Sequence, residues 1–267
     1  MTVFDSIIIA STLHEPEFRL RKSFEKALSF INKFHPNIII SCTSFTSSEV
    51  INTLQKDNIT VRLTPNDPQI DTYSFAIRCA LDVCEEEQYQ RIFYIDFDRL
   101  LHWINNYPSE IMETMKDSFN FDLLHIGRSD RAFKTHPRTQ RDTEKIINHV
   151  GSKILGFSED IDIISVSYIF TPELGHHLLR YPSRTTVGFY GAWPLILWNH
   201  AKNPEYIEVE GHEWETPDRY HVEIDESGYE KWSRSFQSTS EWKKRVRFVD
   251  ECLEEMMALT DCCFKKI

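Results

Sequence analysis

Two aspartates, Asp96 and Asp98, close the apolar run Arg91-Ile92-Phe93-Tyr94-Ile95. Alternate strand residues point the same way, so the pair can share a face at the end of a strand. Two carboxylates that close together repel unless a cation lies between them, and oxygen ligands of this kind suit Mg2+ or Mn2+, ions that also hold a diphosphate. A second cluster runs Glu210-Gly211-His212-Glu213-Trp214-Glu215-Thr216-Pro217-Asp218-Arg219-Tyr220-His221. Core segments do not carry so many charges, so it reads as a site loop. Within it His212 or His221 could complete a metal shell, and Glu213, Glu215 or Asp218 could act as a base. Trp214 could stack on a sugar ring or a nucleobase. Gly188-Phe189-Tyr190-Gly191-Ala192-Trp193-Pro194 sets two glycines beside three aromatics, which fits a backbone approaching a ligand or a tight turn packed by rings. Arg128, Arg131, Lys134, His136, Arg138 and Arg141 form a basic stretch suited to phosphate contact or to a solvated helix face.

These groups need a scaffold. Ser6-Ile7-Ile8-Ile9-Ala10 is apolar on both faces, the pattern of a parallel strand covered by helices on both sides. Glu17 to Lys33 has helical spacing with Pro16 at its start, and His35-Pro36-Asn37 stops it. Asn37-Ile38-Ile39-Ile40-Ser41 repeats the buried-strand pattern, Ser47 can cap a helix through Leu54, and Ile59 to Leu63 reads as a third strand. A helix over Asp71 to Glu87 leads into the strand that ends in the aspartates. In an open α/β sheet the ligand crevice lies beyond the carboxyl ends of the strands, which puts Asp96 and Asp98 where chemistry belongs. Further on, the patterns predict helices over Pro108 to Lys116 and Gln140 to Leu155, and strands over Phe121 to Ile126 and Asp162 to Phe170. Beyond Pro204 the chain becomes polar and aromatic, which suggests one compact domain with a C-terminal extension.

With 267 residues, 41% of them apolar and 13% aromatic, the chain can bury a sizeable core and is not disordered. Its 41 acidic residues outnumber 30 basic ones, for a net charge of −11. That argues against nonspecific attachment to nucleic acid or to anionic membrane, both of which need a cationic surface. The opening MTVFDSIIIASTLHEPEF lacks the basic start of a secretory signal, and no stretch is apolar for about 18 residues. The expectation is a soluble, cytoplasmic protein without a transmembrane segment. The six cysteines show no zinc spacing and read as buried or idle thiols.

The strand ending Ala10-Ser11-Thr12-Leu13-His14-Glu15, the strand-helix alternation, the helix carrying Phe75-Ala76-Ile77-Arg78-Cys79-Ala80-Leu81, and Ile95-Asp96-Phe97-Asp98 together resemble GT-A type, family 2-like glycosyltransferases. The resemblance covers about the first hundred residues and, more loosely, the late histidine-containing loop. It implies a single GT-A-like α/β domain with a mostly parallel central sheet flanked by helices. Residues 1–100 would be the nucleotide-sugar-binding half, and residues 101–267 the acceptor half with its C-terminal extension. By position it implies Thr12 and Glu15 at the nucleotide, Arg78 near the donor, Asp96 and Asp98 on Mn2+ or Mg2+, and His221 as a late metal ligand. The partners are then a nucleotide-sugar donor and a hydroxyl acceptor, with Asp96 and Trp214 also at the donor and Glu213 or Asp218 as the base. A nucleotidyltransferase is disfavoured because His14-Glu15-Pro16 supplies neither glycine nor lysine after the first strand. A phosphatase that uses the same aspartate pair is disfavoured because Leu100 stands where its threonine or valine is expected. A sugar-nucleotide-binding protein without turnover remains the alternative from another class.

Overall fold

The computed structural model describes residues 3–66, 71–87 and 89–263. The chain opens as β1 (Ile7–Leu13), α1 (Arg21–Phe34), β2 (Asn37–Cys42), α2 (Ser48–Lys56), β3 (Thr60–Leu63), α3 (Thr72–Glu87) and β4 (Arg91–Tyr94). It continues through α4 (Phe97–Asn106), α5 (Pro108–Asp117), β5 (Leu123–Arg128), α6 (Asp130–Thr135), α7 (Arg138–Ile154), β6 (Tyr168–Phe170), α8 (Pro172–Leu179), α9 (Phe189–His200) and β7 (Pro204–Val209). Four helices follow: α10 (Thr216–Arg219), α11 (His221–Ser227), α12 (Tyr229–Arg234) and α13 (Thr239–Cys263).

The strands form one seven-stranded sheet in the order β3-β2-β1-β4-β6-β5-β7, in which β6 alone runs antiparallel to its neighbours. The mostly parallel, helix-flanked α/β sheet is the class that the sequence predicts. Its cause is visible in β1, where Ile7, Ile9 and Leu13 enter the layer of α1, α2, α4 and α5 while Ile8 and Ala10 enter the layer of α3, α8, α9 and α13. Each such fully buried isoleucine contributes roughly 1.5–3 kcal/mol, so the run is stable only with both faces covered. Among the described residues, no helix is long and apolar enough to cross a membrane, and Cys42, Cys79, Cys84 and Cys252 are free and buried.

Several boundaries differ from the sequence reading. The helix expected from Glu17 begins at Arg21, because the Glu15 carboxylate accepts the Arg19 N–H at 3.0 Å and Glu17–Leu20 close into turns. His35, at a φ of 46°, and Pro36 then end it. Ser47 does cap α2, its hydroxyl accepting from the Val50 N–H at 3.4 Å. The strand expected over Asp162 to Phe170 is reduced to Tyr168–Phe170: Ile163–Ser165 form a 3-10 turn and Val166 has a φ of 50°, which breaks an extended run. Gly188–Pro194 is neither a loop nor a tight turn but the N-cap and start of α9, where a Cβ on Gly191 would lie 2.8 Å from the Cys252 carbonyl of α13. Of the stretch beyond Pro204, β7 joins the sheet beside β5 and α13 buries Cys252, Met256 and Leu259 against α7 and α9.

Candidate active site

The strand order reverses between β1 and β4: β2 and β3 extend to one side of β1, and β4 begins the other. Ligands of open α/β sheets bind at such a switch point, beyond the carboxyl ends of the strands. There the Ile95 N–H donates to the Ala10 carbonyl at 3.2 Å and the Ser11 hydroxyl to the Ile95 carbonyl at 2.6 Å. The two strand ends are thereby locked side by side, one leading to Glu15 and the other to Asp96 and Asp98. Arg219, on the late loop, spans them with Nη2 3.1 Å from Asp98 Oδ2 and Nε 3.4 Å from Glu15 Oε1. Arg99 lies behind, donating to the Ser165 carbonyl and standing 3.9 Å from Glu215. Asp96, Arg99 and Glu215 line a cavity of about 190 Å³ with Arg128, Glu144 and Tyr190. A larger groove of about 740 Å³ lies between α1 and α5, but it holds none of these carboxylates.

The carboxylates at the switch point are short of solvation. Burial, and then the neighbouring Asp98 charge, pushes Asp96 up to about 7. Burial likewise raises Glu215 against the pull of Arg99, and raises Glu15 against the pull of Arg219. Asp96 Oδ1 and Glu215 Oε2 are shut off from solvent and accept no hydrogen bond. Ionised oxygens in that condition call for more positive charge than Arg99 and Arg219 deliver.

The late loop divides into two parts. Glu110 accepts the N–H groups of Glu210 and Gly211 at 2.8 and 2.9 Å and the Trp103 indole at 2.7 Å, which fastens the loop to α4 and α5. A Cβ on Gly211 would run into the Trp103 ring. His212 is consequently buried against Trp103, and burial holds its imidazole well below the usual range. Trp214 is buried too, stacked on Trp232 at 5.3 Å. The other part faces α4: His102 lies 2.8 Å from Asp218 and 3.2 Å from Glu213. Burial disfavours the charged imidazole, but these carboxylates outweigh it and raise the His102 pKa. Glu213 also takes hydrogen bonds from Arg131 at 2.6 Å and Tyr107 at 3.1 Å. Against the effect of burial, those bonds and the one to His102 hold Glu213 below the usual carboxylate range.

Thr12, Glu15, Asp96 and Asp98 therefore occupy the adjoining ends of β1 and β4. Arg78 is exposed on α3. His221 opens α11 and faces a cleft with Arg19 and Lys22, whereas Asp96 faces the cavity with Glu215. Sequence reasoning gave no part to Arg99 or His102, whose partners are 66 and 116 residues away. It read Arg128 as a phosphate contact or a solvated residue, but Arg128 is 3% exposed and paired with Asp162 and Glu144. A divalent ion suits the donor chemistry, since Asp96 Oδ1 lacks any partner. Among the described residues, however, no three His, Cys, Asp or Glu side chains are grouped to hold one.

No family model and no curated protein matches the chain. Solved structures do. Glucosyl-3-phosphoglycerate synthase from Mycobacterium tuberculosis in complex with UDP aligns at a TM-score of 0.43 and 14% identity, over 63% of this chain and 57% of that one. The same synthase with Mn2+, UDP and glucosyl-3-phosphoglycerate aligns at 0.49 and 12%, over 76% of this chain and 69% of that one. A protein from Desulfovibrio desulfuricans G20, provisionally named a nucleotide-diphospho-sugar transferase, aligns at 0.43 and 11%, over 94% of this chain and 99% of that one.

Proposed function

We propose that the chain is a divalent-metal-dependent glycosyltransferase, moving a sugar from a nucleoside-diphosphate-sugar donor to a hydroxyl acceptor. The observation that carries this reading is Asp96: its Oδ1 has no partner, and burial with the Asp98 charge pushes its pKa up to about 7. Its ionised form needs an added cation at the place where an α/β sheet binds ligands. Asp96 and Asp98 are the residues to hold Mn2+ or Mg2+, which would neutralise charge on the departing nucleoside diphosphate. Thr12 and Glu15, at the end of β1, border the nucleotide. The transferred sugar fits the cavity of about 190 Å³, where carboxylates and Tyr190 offer partners for its hydroxyls.

The sequence put Glu213 or Asp218 forward as the base, and the geometry favours Glu215. A base near neutrality benefits from a raised pKa, and burial raises Glu215 while the bonds to Glu213 do the opposite. Glu215 also shares its cavity with Asp96 and keeps Oε2 unpartnered. Asp218 is held by His102, which suits a role in fixing the loop.

UDP and Mn2+, named for the Mycobacterium tuberculosis structures, serve as the first probes. Nucleotide sugars are screened with Mn2+ for release of the nucleoside diphosphate, with and without chelator. The proposal expects metal-dependent release from at least one donor, and a fall of about 10²- to 10⁴-fold in turnover in Glu215→Gln. A metal-dependent thermal shift without release would identify a binding protein. Neither shift nor release from any donor would refute both readings.

A further inference from the structure

Arg219 stands where a cation would act on Asp98. It is the last residue of α10, and its guanidinium reaches Asp98 Oδ2 at 3.1 Å and Glu15 Oε1 at 3.4 Å. Among the described residues, no other charged nitrogen of a lysine, arginine or histidine side chain lies within 4.0 Å of either carboxylate; Arg19 and Arg99 reach them only through backbone N–H groups, at 3.0 Å from Glu15 Oε2 and 2.9 Å from Asp98 Oδ1. The Glu15 side chain is 2% exposed, and its Oε1 accepts no hydrogen bond of good geometry, so the ionic contact to Arg219 is the compensation that this oxygen has. The arginine is presented by a short strap, α10 and α11, fastened at two further points. Asp218 holds His102 at 2.8 Å, while Arg19 holds Glu223 at 2.9 Å and lies over the Tyr220 ring at 5.1 Å.

We propose that Arg219 is a built-in competitor of the divalent ion: it bridges Glu15 and Asp98 in the ligand-free chain, and metal entry at Asp98 expels it and loosens the strap. The inference rests on the reading that Asp98 holds a metal. Arg219 occupies Oδ2 of Asp98, an oxygen that a divalent ion would use, and the two cations repel when brought side by side; two carboxylates beside Asp96 are also matched better by two positive charges than by one. The bridge is one hydrogen bond, at 3.1 Å to Asp98, and one ionic contact, at 3.4 Å to Glu15, so a single guanidinium occupies both carboxylates. Once displaced, Arg219 keeps its planar fork of donors, the geometry that pairs with a phosphate group. The same side chain would then weaken metal binding in the absence of nucleotide and strengthen nucleotide binding once metal is present.

The test is Mn2+ titration of the full chain without nucleotide, following free Mn2+ by electron paramagnetic resonance, for the parent and Arg219→Gln. Arg219→Gln should bind Mn2+ about tenfold more tightly, within the usual range of coupling between two sites. With Mn2+ saturating, the same variant should bind UDP more weakly than the parent, an opposite sign that general loosening of the fold does not produce. Mn2+ affinity that is unchanged or lower in the variant would overturn the inference while leaving the metal reading intact. No Mn2+ binding to either protein would overturn the metal reading itself, and this inference with it. Amide exchange of the parent supplies an arm that does not depend on a variant folding: Mn2+ alone should speed exchange across 216–227, and slower or unaltered exchange there would overturn the proposal.

Discussion

Replacing Asp162 by asparagine should cost about 3–5 kcal/mol at pH 7. Asp162 takes four hydrogen bonds: Oδ2 accepts the Arg128 backbone N–H at 3.0 Å and Nε at 2.7 Å, and Oδ1 accepts Arg128 Nη2 at 2.7 Å and Asn148 Nδ2 at 3.1 Å. The carboxylate and guanidinium side chains are 6% and 1% exposed, so water does not replace what is lost. An amide of the same shape puts an NH2 against one pair of donors, removing two of the four bonds. At roughly 1.5–3 kcal/mol for each bond to a charged group, two bonds amount to about 3–6 kcal/mol, and the roughly 3–5 kcal/mol typical of breaking a buried ion pair sets the range expected here. Glu144, 2.8 Å from Arg128 Nη2, keeps the guanidinium from being wholly unpaired and limits the loss to that range. The assay is urea unfolding followed by tryptophan fluorescence, with the slope checked for constancy between parent and variant. The pH dependence fixes the sign independently. Burial alone would raise Asp162, but Arg128 holds it far below the unfolded value of about 3.9. Its contribution is therefore complete above that value and is lost as pH falls toward the folded pKa, so the parent and variant should converge below about pH 4. A difference under about 1 kcal/mol at pH 7, or no convergence in acid, would refute this account of the pair.

Two more predictions concern the frame around the site. Burial lowers His125 to about 4, so between pH 6.5 and 4 the unfolded chain takes a proton that the folded chain refuses. The stability present above 6.5 is then lost on acidification at up to about 1.4 kcal/mol per pH unit; urea midpoints should fall less steeply in His125→Asn than in the parent, and equal slopes would contradict the buried neutral imidazole. Gly211→Ala drives a methyl into the Trp103 ring and should cost about 1–3 kcal/mol while loosening the loop that carries Glu213 and Glu215. An unchanged melting temperature would show that the loop is not seated on Trp103.

What the sequence made legible follows from local physics. Ile7-Ile8-Ile9 announces a strand buried on both faces because no single-sided arrangement could cover it, and Ser47 announces a cap because its hydroxyl needs only a partner three residues away. Asp96 and Asp98 were legible for the same reason, standing at the end of such a strand. Other features depend on distant partners and leave no local signal. His102 reads as an ordinary helix residue until Asp218 and Glu213 arrive from the late loop. Asp162 looks like the first residue of a strand until Arg128 binds it and Val166 turns the chain with a φ of 50°. The late loop divides: Arg219 and Glu215 stand beside Asp98 and Asp96 at the ends of β1 and β4. One of its aromatic residues, Trp214, and one of its two histidines, His212, are instead buried as core beside Trp232 and Trp103.

The central claim is that Asp96 and Asp98 bind nucleoside diphosphate through a divalent ion. Calorimetric titration of UDP, and of the other nucleoside diphosphates in turn, into the chain with Mn2+ and with chelator tests it most directly, alongside Asp96→Ala and Asp98→Ala. The account predicts binding of at least one nucleotide that requires Mn2+ and is lost in both variants, each still folded by circular dichroism. Nucleotide binding of equal strength with chelator and in both variants would contradict it.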